Sequence, residues 1–266
     1  MSETLRIGFL GAGKMATALA QGWRESGTIC ASDPVVAARV HFTKETGAKT
    51  LTTNSAVLAE CEVLVLAVKP QNMADLLKEI RSAIQSHHLL ISIAAGITIQ
   101  QIADAVGNDK RIIRVMPNAP CLVGASASAF AASPSATAAD VELTQRLLDR
   151  VGRAVQVPEK LLDAVTGLSG SGPAFVAVMI ESLSDGGVRM GLPRDLATML
   201  AAQTLLGSAK LLLETGLHPG QLKDMVASPG GTTIAGLHAL ETGGVRAALM
   251  NAVEAATRRA VELGKQ

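Results

Sequence analysis

The hydrophobic positions of this chain follow two different patterns, and the change falls near Pro158. Before it, short apolar runs alternate with stretches of helical spacing, which is typical of a mostly parallel sheet with crossover helices. The predicted strands are Arg6–Leu10, Ile29–Ser32, Val63–Val68, Leu89–Ile93, Arg111–Met116, Ser126–Ala131 and Ala154–Val157. We therefore predict an α/β domain at residues 1–157.

After Pro158 no strand pattern is found, and apolar stretches of helical spacing are separated by Gly or Pro. The predicted helices are Leu161–Gly167, Pro173–Met190, Pro193–Leu217, Pro219–Val226, Thr232–Thr242 and Val245–Leu263. Residues 158–266 are thus predicted to form an all-α domain. Two of these helices are apolar nearly all round, so we favour a homodimer built through this domain over an ordinary core.

The composition excludes several classes of function. The chain has 266 residues, 48% hydrophobic and 18% charged, with a formal net charge of +1. Because the charges of both signs are interspersed, we predict a small-molecule substrate and no nucleic-acid partner. Aromatic residues make up 2% of the chain and tyrosine is absent, which leaves no stacking surface and no phenolic acid for catalysis.

The three cysteines and five histidines show no spacing typical of a metal or redox site. We therefore predict no metal, buried free thiols and a reducing, cytoplasmic location. No segment approaches the roughly 18 apolar residues needed to span a bilayer, so we expect no membrane association.

A dinucleotide fingerprint directly follows the predicted strand Arg6–Leu10. The segment Gly11–Ala16 reads Gly-x-Gly-x-x-Ala and opens a helical pattern. In this motif Gly11 makes the turn, Gly13 lets a pyrophosphate approach the backbone, and Ala16 allows close packing of helix on strand. This context favours a Rossmann-type doubly wound sheet that binds a nucleotide over a purely structural glycine turn.

Asp33 leaves the choice of nucleotide open. It ends the second predicted strand, 20 residues after Gly13, where a carboxylate bonds a ribose 2′-OH and favours NAD. Alternatively, Ser32, Asp33 and Pro34 form a turn that points Asp33 away, so that Ser32, Lys14 or Arg39 meets a 2′-phosphate. Asn54 is equally open: it could reach the adenosine or cap a helix.

Two further strand ends are candidates for the ligand crevice. Lys69 follows the predicted strand Val63–Val68, and the carboxyl ends of parallel strands face the crevice. Ala94, Ala95 and Gly96 follow the next strand and are small enough to let a nicotinamide lie close to the chain. A solvated Lys69 is the alternative, which we consider weaker.

The segment Ser228–Thr233 reads as a turn that opens a helix. Pro229 and two glycines precede Thr232 and Thr233, and apolar spacing follows. The first N–H groups of a helix lack intrahelical partners, so this turn could hold a small anion. From these six residues alone, an ordinary helix cap is the better interpretation.

Four segments identify a family when taken together: Gly8–Ala16; Ala67–Pro70; Thr166–Ala174; and His218–Lys223 running on to Ser228–Thr233 and Leu240–Glu241. The first occurs in many dehydrogenases, whereas the last two are specific. On these segments the sequence resembles pyrroline-5-carboxylate reductase over nearly its full length.

The resemblance implies an oxidoreductase that reduces L-1-pyrroline-5-carboxylate to L-proline with NAD(P)H, the last step of proline biosynthesis. It implies an N-terminal nucleotide domain and an all-α domain that forms a homodimer, often assembled into a homodecamer. NADPH is favoured by the resemblance. NADH stays open because other members can carry a small polar residue where this chain has Asp33.

The resemblance also implies the site residues. The nucleotide contacts are Leu10, Gly11, Ala12, Gly13, Lys14, Met15, Asp33, Asn54, Ala67, Val68, Lys69, Pro70, Ala94, Ala95 and Gly96. The substrate contacts are Glu159, Gly231, Thr232 and Thr233. Our hypothesis is that the Thr232 and Thr233 N–H groups hold the carboxylate while the Thr233 hydroxyl bonds the ring nitrogen and is catalytic. For Glu159, an acid favoured by the dipole of its own helix is an equally good interpretation.

Three alternative functions share features with this sequence. β-Hydroxyacid dehydrogenases share the domain order, but they resemble one another in having a lysine on an early helix of the second domain. Here no lysine lies between Lys160 and Lys210, which argues against oxidation of an alcohol. Another NAD(P)H-dependent imine reductase stays possible because pocket volume cannot be read from one sequence. A non-catalytic regulatory protein is disfavoured by the intact turn at Ser228–Thr233.

Overall fold

A computed structural model describes residues 4–264. In chain order its strands and helices are β1 (Leu5–Leu10), α1 (Lys14–Trp23), β2 (Gly27–Ser32), α2 (Val36–Thr46), β3 (Lys49–Leu51), α3 (Asn54–Glu60), β4 (Val63–Leu66), α4 (Met73–Ile80), β5 (Leu89–Ser92), α5 (Ile99–Val106), β6 (Arg111–Met116), β7 (Ser126–Ala132), α6 (Ala138–Asp149) and β8 (Gly152–Gln156). The helices α7 (Leu162–Val165), α8 (Gly172–Arg189), α9 (Arg194–Thr215), α10 (Pro219–Met225), α11 (Thr232–Thr242) and α12 (Val245–Gly264) follow.

The eight strands form one sheet in the order β3-β2-β1-β4-β5-β6-β7-β8. Neighbours from β3 to β6 are parallel, β7 is antiparallel to β6, and β8 is parallel to β7. The predicted doubly wound sheet followed by helices is confirmed. The strand predicted to reach Val68 ends at Leu66, because the chain bends at Val68, although Ala67 still donates its N–H to the Leu10 carbonyl.

The sheet divides the core into two layers. Alternate residues of a strand point to opposite faces: Phe9, Val63 and Val65 join one buried cluster, whereas Leu64 and Leu66 join the other. Phe9 packs against both Trp23 and Phe42, with ring centroids 5.7 and 5.8 Å apart. The strands carrying the nucleotide motif are therefore covered on both faces.

Two compact units make up the chain. One comprises the residues up to Ser171 and those from Ala255 onward, and the other comprises Gly172–Glu254. The first unit ends at Ser171, whereas the predicted domains divide at Pro158, where the sequence pattern changes. Residues 1–3 and 265–266 of the predicted domains lie outside the described residues.

The unit Gly172–Glu254 has little core of its own. Its buried residues, all of it being described, are Ser184, Ala197 and Ala201, whereas Val178 and Leu206 are each 61% exposed. Two helical stretches, Glu159–Arg189 and Arg194–Thr215, are long and apolar enough to cross a bilayer, so the expectation that no segment would be is wrong. Neither stretch is an unbroken apolar run, but both are rich in Ala, Leu and Gly and carry few charges, so their mean hydropathy is high enough for a bilayer.

Candidate active site

The loops that follow β1, β2, β4 and β5 lie at the carboxyl ends of neighbouring parallel strands. The strand order reverses between β1 and β4, since β2 and β3 extend to one side and β4 to β6 to the other. In doubly wound sheets ligands bind in the crevice at this reversal. The residues that the sequence predicted as nucleotide contacts flank it on both sides.

The glycine loop has the backbone that its motif requires. Gly11 has φ +107°, and a Cβ there would lie 2.8 Å from the Ala67 carbonyl oxygen, so only glycine fits. Gly13 is extended, and no atom lies within 4 Å of the position of an added Cβ. No side chain caps α1. The free space at Gly13 and the uncapped helix N-terminus fit a bound pyrophosphate.

Asp33 is held against this loop. Its Oδ2 accepts the Ala12 N–H at 2.9 Å, and its Oδ1 accepts the Val35 N–H at 2.8 Å. The carboxylate therefore stays beside the glycine loop, although it also makes the turn that the alternative interpretation proposed. Arg39 donates to the Asp33 carbonyl oxygen and lines a neighbouring surface cavity of about 380 Å³ together with Lys44.

Asn54 begins α3 and connects two elements near the same strand end. The cap of α3 is Thr53, whose hydroxyl accepts the Ala56 N–H, so the interpretation of Asn54 as the cap is wrong. Asn54 instead accepts the Ser32 hydroxyl at 2.6 Å and donates to Glu79 at 2.9 Å. These bonds tie α3 to the end of β2.

The other predicted nucleotide contacts lie in the loops after β4 and β5. Lys69 is exposed and precedes a 3₁₀ turn at Pro70–Asn72. Ala94 is buried, Ala95 is exposed, and Gly96 has φ +78°, a conformation that favours glycine. Both loops follow strands on the same side of the reversal.

Glu159 makes contacts that the sequence did not indicate. Its Oε1 accepts the Ile99 N–H at 2.7 Å and the Arg114 Nη1 at 3.2 Å. The second terminal nitrogen of Arg114 reaches Asp163 at 3.3 Å. Glu159 thus lies at the N-terminus of α5 as well as in the first turn of its own 3₁₀ helix, Glu159–Leu161. Arg114, which is 5% exposed, is held between two carboxylates.

A π-helical turn at Thr166–Gly170 was also missed, since the sequence predicted an α-helix ending at Gly167. The Ser171 N–H donates to the Thr166 carbonyl, and Asn118 donates to the Ser169 carbonyl at 3.0 Å. A Cβ on Gly170 would lie 2.6 Å from the Met116 Cε. Such turns are frequent at functional sites, and this one depends on contacts distant in sequence.

The predicted turn at Ser228–Thr233 opens a helix with the predicted bounds, α11. Gly230 has φ +65°, and the Gly231 N–H donates to the Ser228 carbonyl at 3.0 Å. Gly231 is the N-cap residue and no side chain caps the helix. Thr232 is exposed and Thr233 half-buried, so the first N–H groups of α11 are available to an anion.

Each half of the chain matches a model of a known protein family. Residues 159–263 match the family model "Pyrroline-5-carboxylate reductase dimerisation", and residues 6–96 match "NADP oxidoreductase coenzyme F420-dependent". Among residues 4–264, no group of three or more His, Cys, Asp or Glu side chains could hold a metal ion.

Curated relatives and solved structures match nearly the whole length of this chain. A pyrroline-5-carboxylate reductase of Methanosarcina acetivorans is 48% identical over 99% of this chain and 100% of its own length. The structure of a pyrroline-5-carboxylate reductase of Coxiella burnetii superposes with a TM-score of 0.92 at 33% identity, covering 98% of this chain and 99% of that one. The Plasmodium falciparum pyrroline carboxylate reductase, solved with NADP bound, gives 0.87 at 34% identity, with 99% of both chains covered.

Proposed function

The chain belongs to the pyrroline-5-carboxylate reductase family, and from that premise we propose which of its residues carry the reaction. The protein is an NAD(P)H-dependent oxidoreductase that reduces L-1-pyrroline-5-carboxylate to L-proline. The observation that carries this conclusion is the 48% identity over 99% of the chain to a reductase of that name.

The nucleotide is held by the loops at the strand reversal. The free space at Gly13 and the uncapped α1 receive the pyrophosphate, and Asp33 and Asn54 lie on the adenosine side. When bound, the reduced nicotinamide supplies a hydride to the C=N carbon. The small residues Ala94 to Gly96 are the proposed neighbours of that ring.

The substrate carboxylate binds at the start of α11. The N–H groups of Thr232 and Thr233 have no side-chain cap to displace, and the helix dipole favours an anion there. The Thr233 hydroxyl then donates to, or accepts from, the ring nitrogen, which takes up a proton as the C=N bond is reduced. Catalysis on this scheme is mainly the positioning of an already electrophilic carbon.

Thr233→Ala tests this scheme. We expect kcat/KM for pyrroline-5-carboxylate to fall about tenfold, the cost of one hydrogen bond, with the Kd for NADPH unchanged. The matched control is Thr242→Ala at the other end of α11, where the hydroxyl bonds only the His238 carbonyl. Equal kcat/KM in the Thr233 variant and the wild type would exclude the proposed role, and oxidation of hydroxy acids by the wild type would favour a β-hydroxyacid dehydrogenase.

Asp33 sets the balance between the two nucleotides. Its carboxylate stands beside the glycine loop, where a 2′-phosphate would meet a like charge, while Arg39 and Lys44 line the adjoining cavity. We expect Asp33→Ser to raise the NADPH/NADH ratio of kcat/KM about tenfold, which corresponds to about 1.4 kcal/mol. An unchanged ratio would mean that the carboxylate points away from the ribose.

Assembly and location complete the proposal. The family's dimerisation region covers 159–263, and the exposed apolar side chains of α8 and α9 support a homodimer through these helices. We extend this to a decamer of five such dimers in the cytoplasm, without membrane or nucleic-acid partners. Light scattering on the purified protein distinguishes a dimer from a decamer by mass, and flotation with lipid vesicles tests the absence of membrane binding.

A further inference from the structure

Two cysteines far apart in sequence meet in the nucleotide-binding unit. Cys30 lies in β2 and Cys61 directly follows α3, and their sulfur atoms are 3.3 Å apart. Both side chains belong to buried residues, 2% and 5% exposed. The sulfurs are in contact without being bonded, since a disulfide bond is about 2.05 Å long.

Gly8 makes this contact possible. It pairs with Cys30 in the sheet, and a Cβ on it would lie 3.1 Å from the Cys61 Sγ and 2.3 Å from the Val57 Cγ1. Any side chain at residue 8 would therefore push α3 and Cys61 away from the strand. The missing side chain brings the two thiols together over β1.

The surroundings differentiate the two thiols. The hydrogen bond with Cys61 lowers the pKa of Cys30, against the opposing effects of burial and of Glu60. The hydrogen bond with Cys30, together with burial, raises the pKa of Cys61. Cys30 is thus the more acidic thiol of the pair. A small cavity of about 90 Å³, lined by both cysteines and by Arg6, Lys49 and Glu60, gives access.

We propose that Cys30 and Cys61 form an oxidisable dithiol that a hydroperoxide closes to a disulfide. The Cys30 thiolate attacks one peroxide oxygen, the O–O bond breaks, and a proton from solvent completes the departing water, or an alcohol if the peroxide is organic. The Cys61 sulfur then attacks the sulfenic sulfur of Cys30, the S–O bond breaks, and the Cys61 thiol proton passes to the departing hydroxide, which leaves as a second water. Two thiols are oxidised and one peroxide is reduced.

Closing the bond affects the nucleotide loops, a consequence that rests on the proposed function. The two sulfurs must approach by more than 1 Å from their separation of 3.3 Å. β2 ends at Ser32, which bonds Asn54 at the start of α3 and precedes Asp33, the residue that holds the Ala12 N–H. We expect the oxidised protein to bind NADPH about fivefold more weakly, at the low end of typical coupling between sites.

The experiment uses the full-length protein, treated with hydrogen peroxide and then freed of it. Thiols are counted after denaturation, non-reducing peptide mapping locates any bridge, and NADPH binding is titrated before oxidation, after it, and after dithiothreitol. The expected result is the loss of two thiols, a Cys30–Cys61 peptide and a weaker Kd, all reversed by dithiothreitol.

The matched control is Cys121→Ser, since Cys121 is also buried but contacts Met15, with its pKa raised by burial. This variant should form the same bridge, whereas Cys30→Ser should not. A bridge that contains Cys121, a sulfinic acid on Cys30, or an unchanged thiol count in the wild type would overturn the proposal, and mapping the wild type needs no variant to fold. An unchanged Kd in bridged protein would overturn the coupling. Turnover of pyrroline-5-carboxylate by the reduced protein is measured separately, so a failure there concerns the proposed function alone.

Discussion

The helices α1 and α11 begin in nearly the same way but are supported very differently. Each starts after an extended glycine, Gly13 with φ −75° and ψ 178° and Gly231 with φ −79° and ψ 177°, and neither has a side-chain cap. Six residues of α1 are buried, however, and none of α11. The glycine loop before α1 is therefore fixed by the core around it, whereas the turn before α11 depends on its own local bonds.

The largest loss of stability should come from adding a methyl group at Gly11, whereas the same change at Gly231 should cost little. Gly11→Ala forces φ +107° on a residue with a Cβ and drives it into the Ala67 carbonyl, so we expect the free energy of unfolding to fall by about 2 to 3 kcal/mol. The matched variant is Gly231→Ala, whose φ is ordinary and whose Cβ meets chiefly the rotatable Ser228 hydroxyl and lies 3.2 Å from the Ser228 carbonyl oxygen. We expect it to cost less than about 0.5 kcal/mol.

Urea unfolding at a fixed protein concentration measures both variants. Equal losses would break the comparison, because they would mean that α11 is held as rigidly as α1. Adding Ser228→Ala to the Gly231 variant should restore whatever stability the clash removes.

Ion pairs should also contribute more stability in the nucleotide-binding unit than in the helical unit. Arg114→Met leaves Glu159 and Asp163 without their cation, and because Arg114 is buried while both carboxylates are 31% exposed, we expect a loss of about 2 kcal/mol. In the helical unit, Lys210 and Glu214 form a pair that is 69% and 60% exposed, and Lys210→Met should cost less than about 0.5 kcal/mol. Thermal unfolding of the two variants would contradict this order if their midpoints fell equally.

The smallest effect concerns pH. His88 is buried, its Nδ1 accepts the Gln85 N–H and its Nε2 donates to the Leu58 carbonyl, so it is neutral. Burial, and then the neighbouring His87, lower its pKa. The unfolded chain therefore takes up the proton first, and the stability present above about pH 6.5 is lost as the pH falls towards the folded pKa.

Urea unfolding at about pH 7.5 and about pH 5.5 tests this loss. His88→Gln should reduce the difference between the two pH values. His238→Gln, at an exposed position of α11, should leave the difference as it is in the wild type. A wild-type stability that does not change over this range would contradict the assignment.

Local patterns were sufficient for much of the fold. Alternating apolar runs predicted β1, β2 and β4 to β8, and the Gly-x-Gly-x-x-Ala spacing predicted the loop at Gly11. The bounds of α11 followed from its preceding glycines and its apolar spacing. These features depend on residues adjacent in the chain, so one sequence contains the information.

The rest depends on contacts between distant segments. Glu159 meets the N-terminus of α5 across 60 residues, and Asn118 supports the π-helical turn across 51. Cys30 and Cys61 are 31 residues apart, and they meet over Gly8 of β1, which comes earlier in the chain than either. Contacts between such distant residues produce no periodic pattern in the local sequence.

The bare start of α11 has a practical consequence. A helix N-terminus without a side-chain cap does not distinguish sharply among small oxyanions. We expect sulfate and phosphate to compete with pyrroline-5-carboxylate for Thr232 and Thr233 while leaving the protein folded. Assays in these buffers would then understate the affinity for the substrate, and a buffer of bulky, zwitterionic molecules would report it more faithfully.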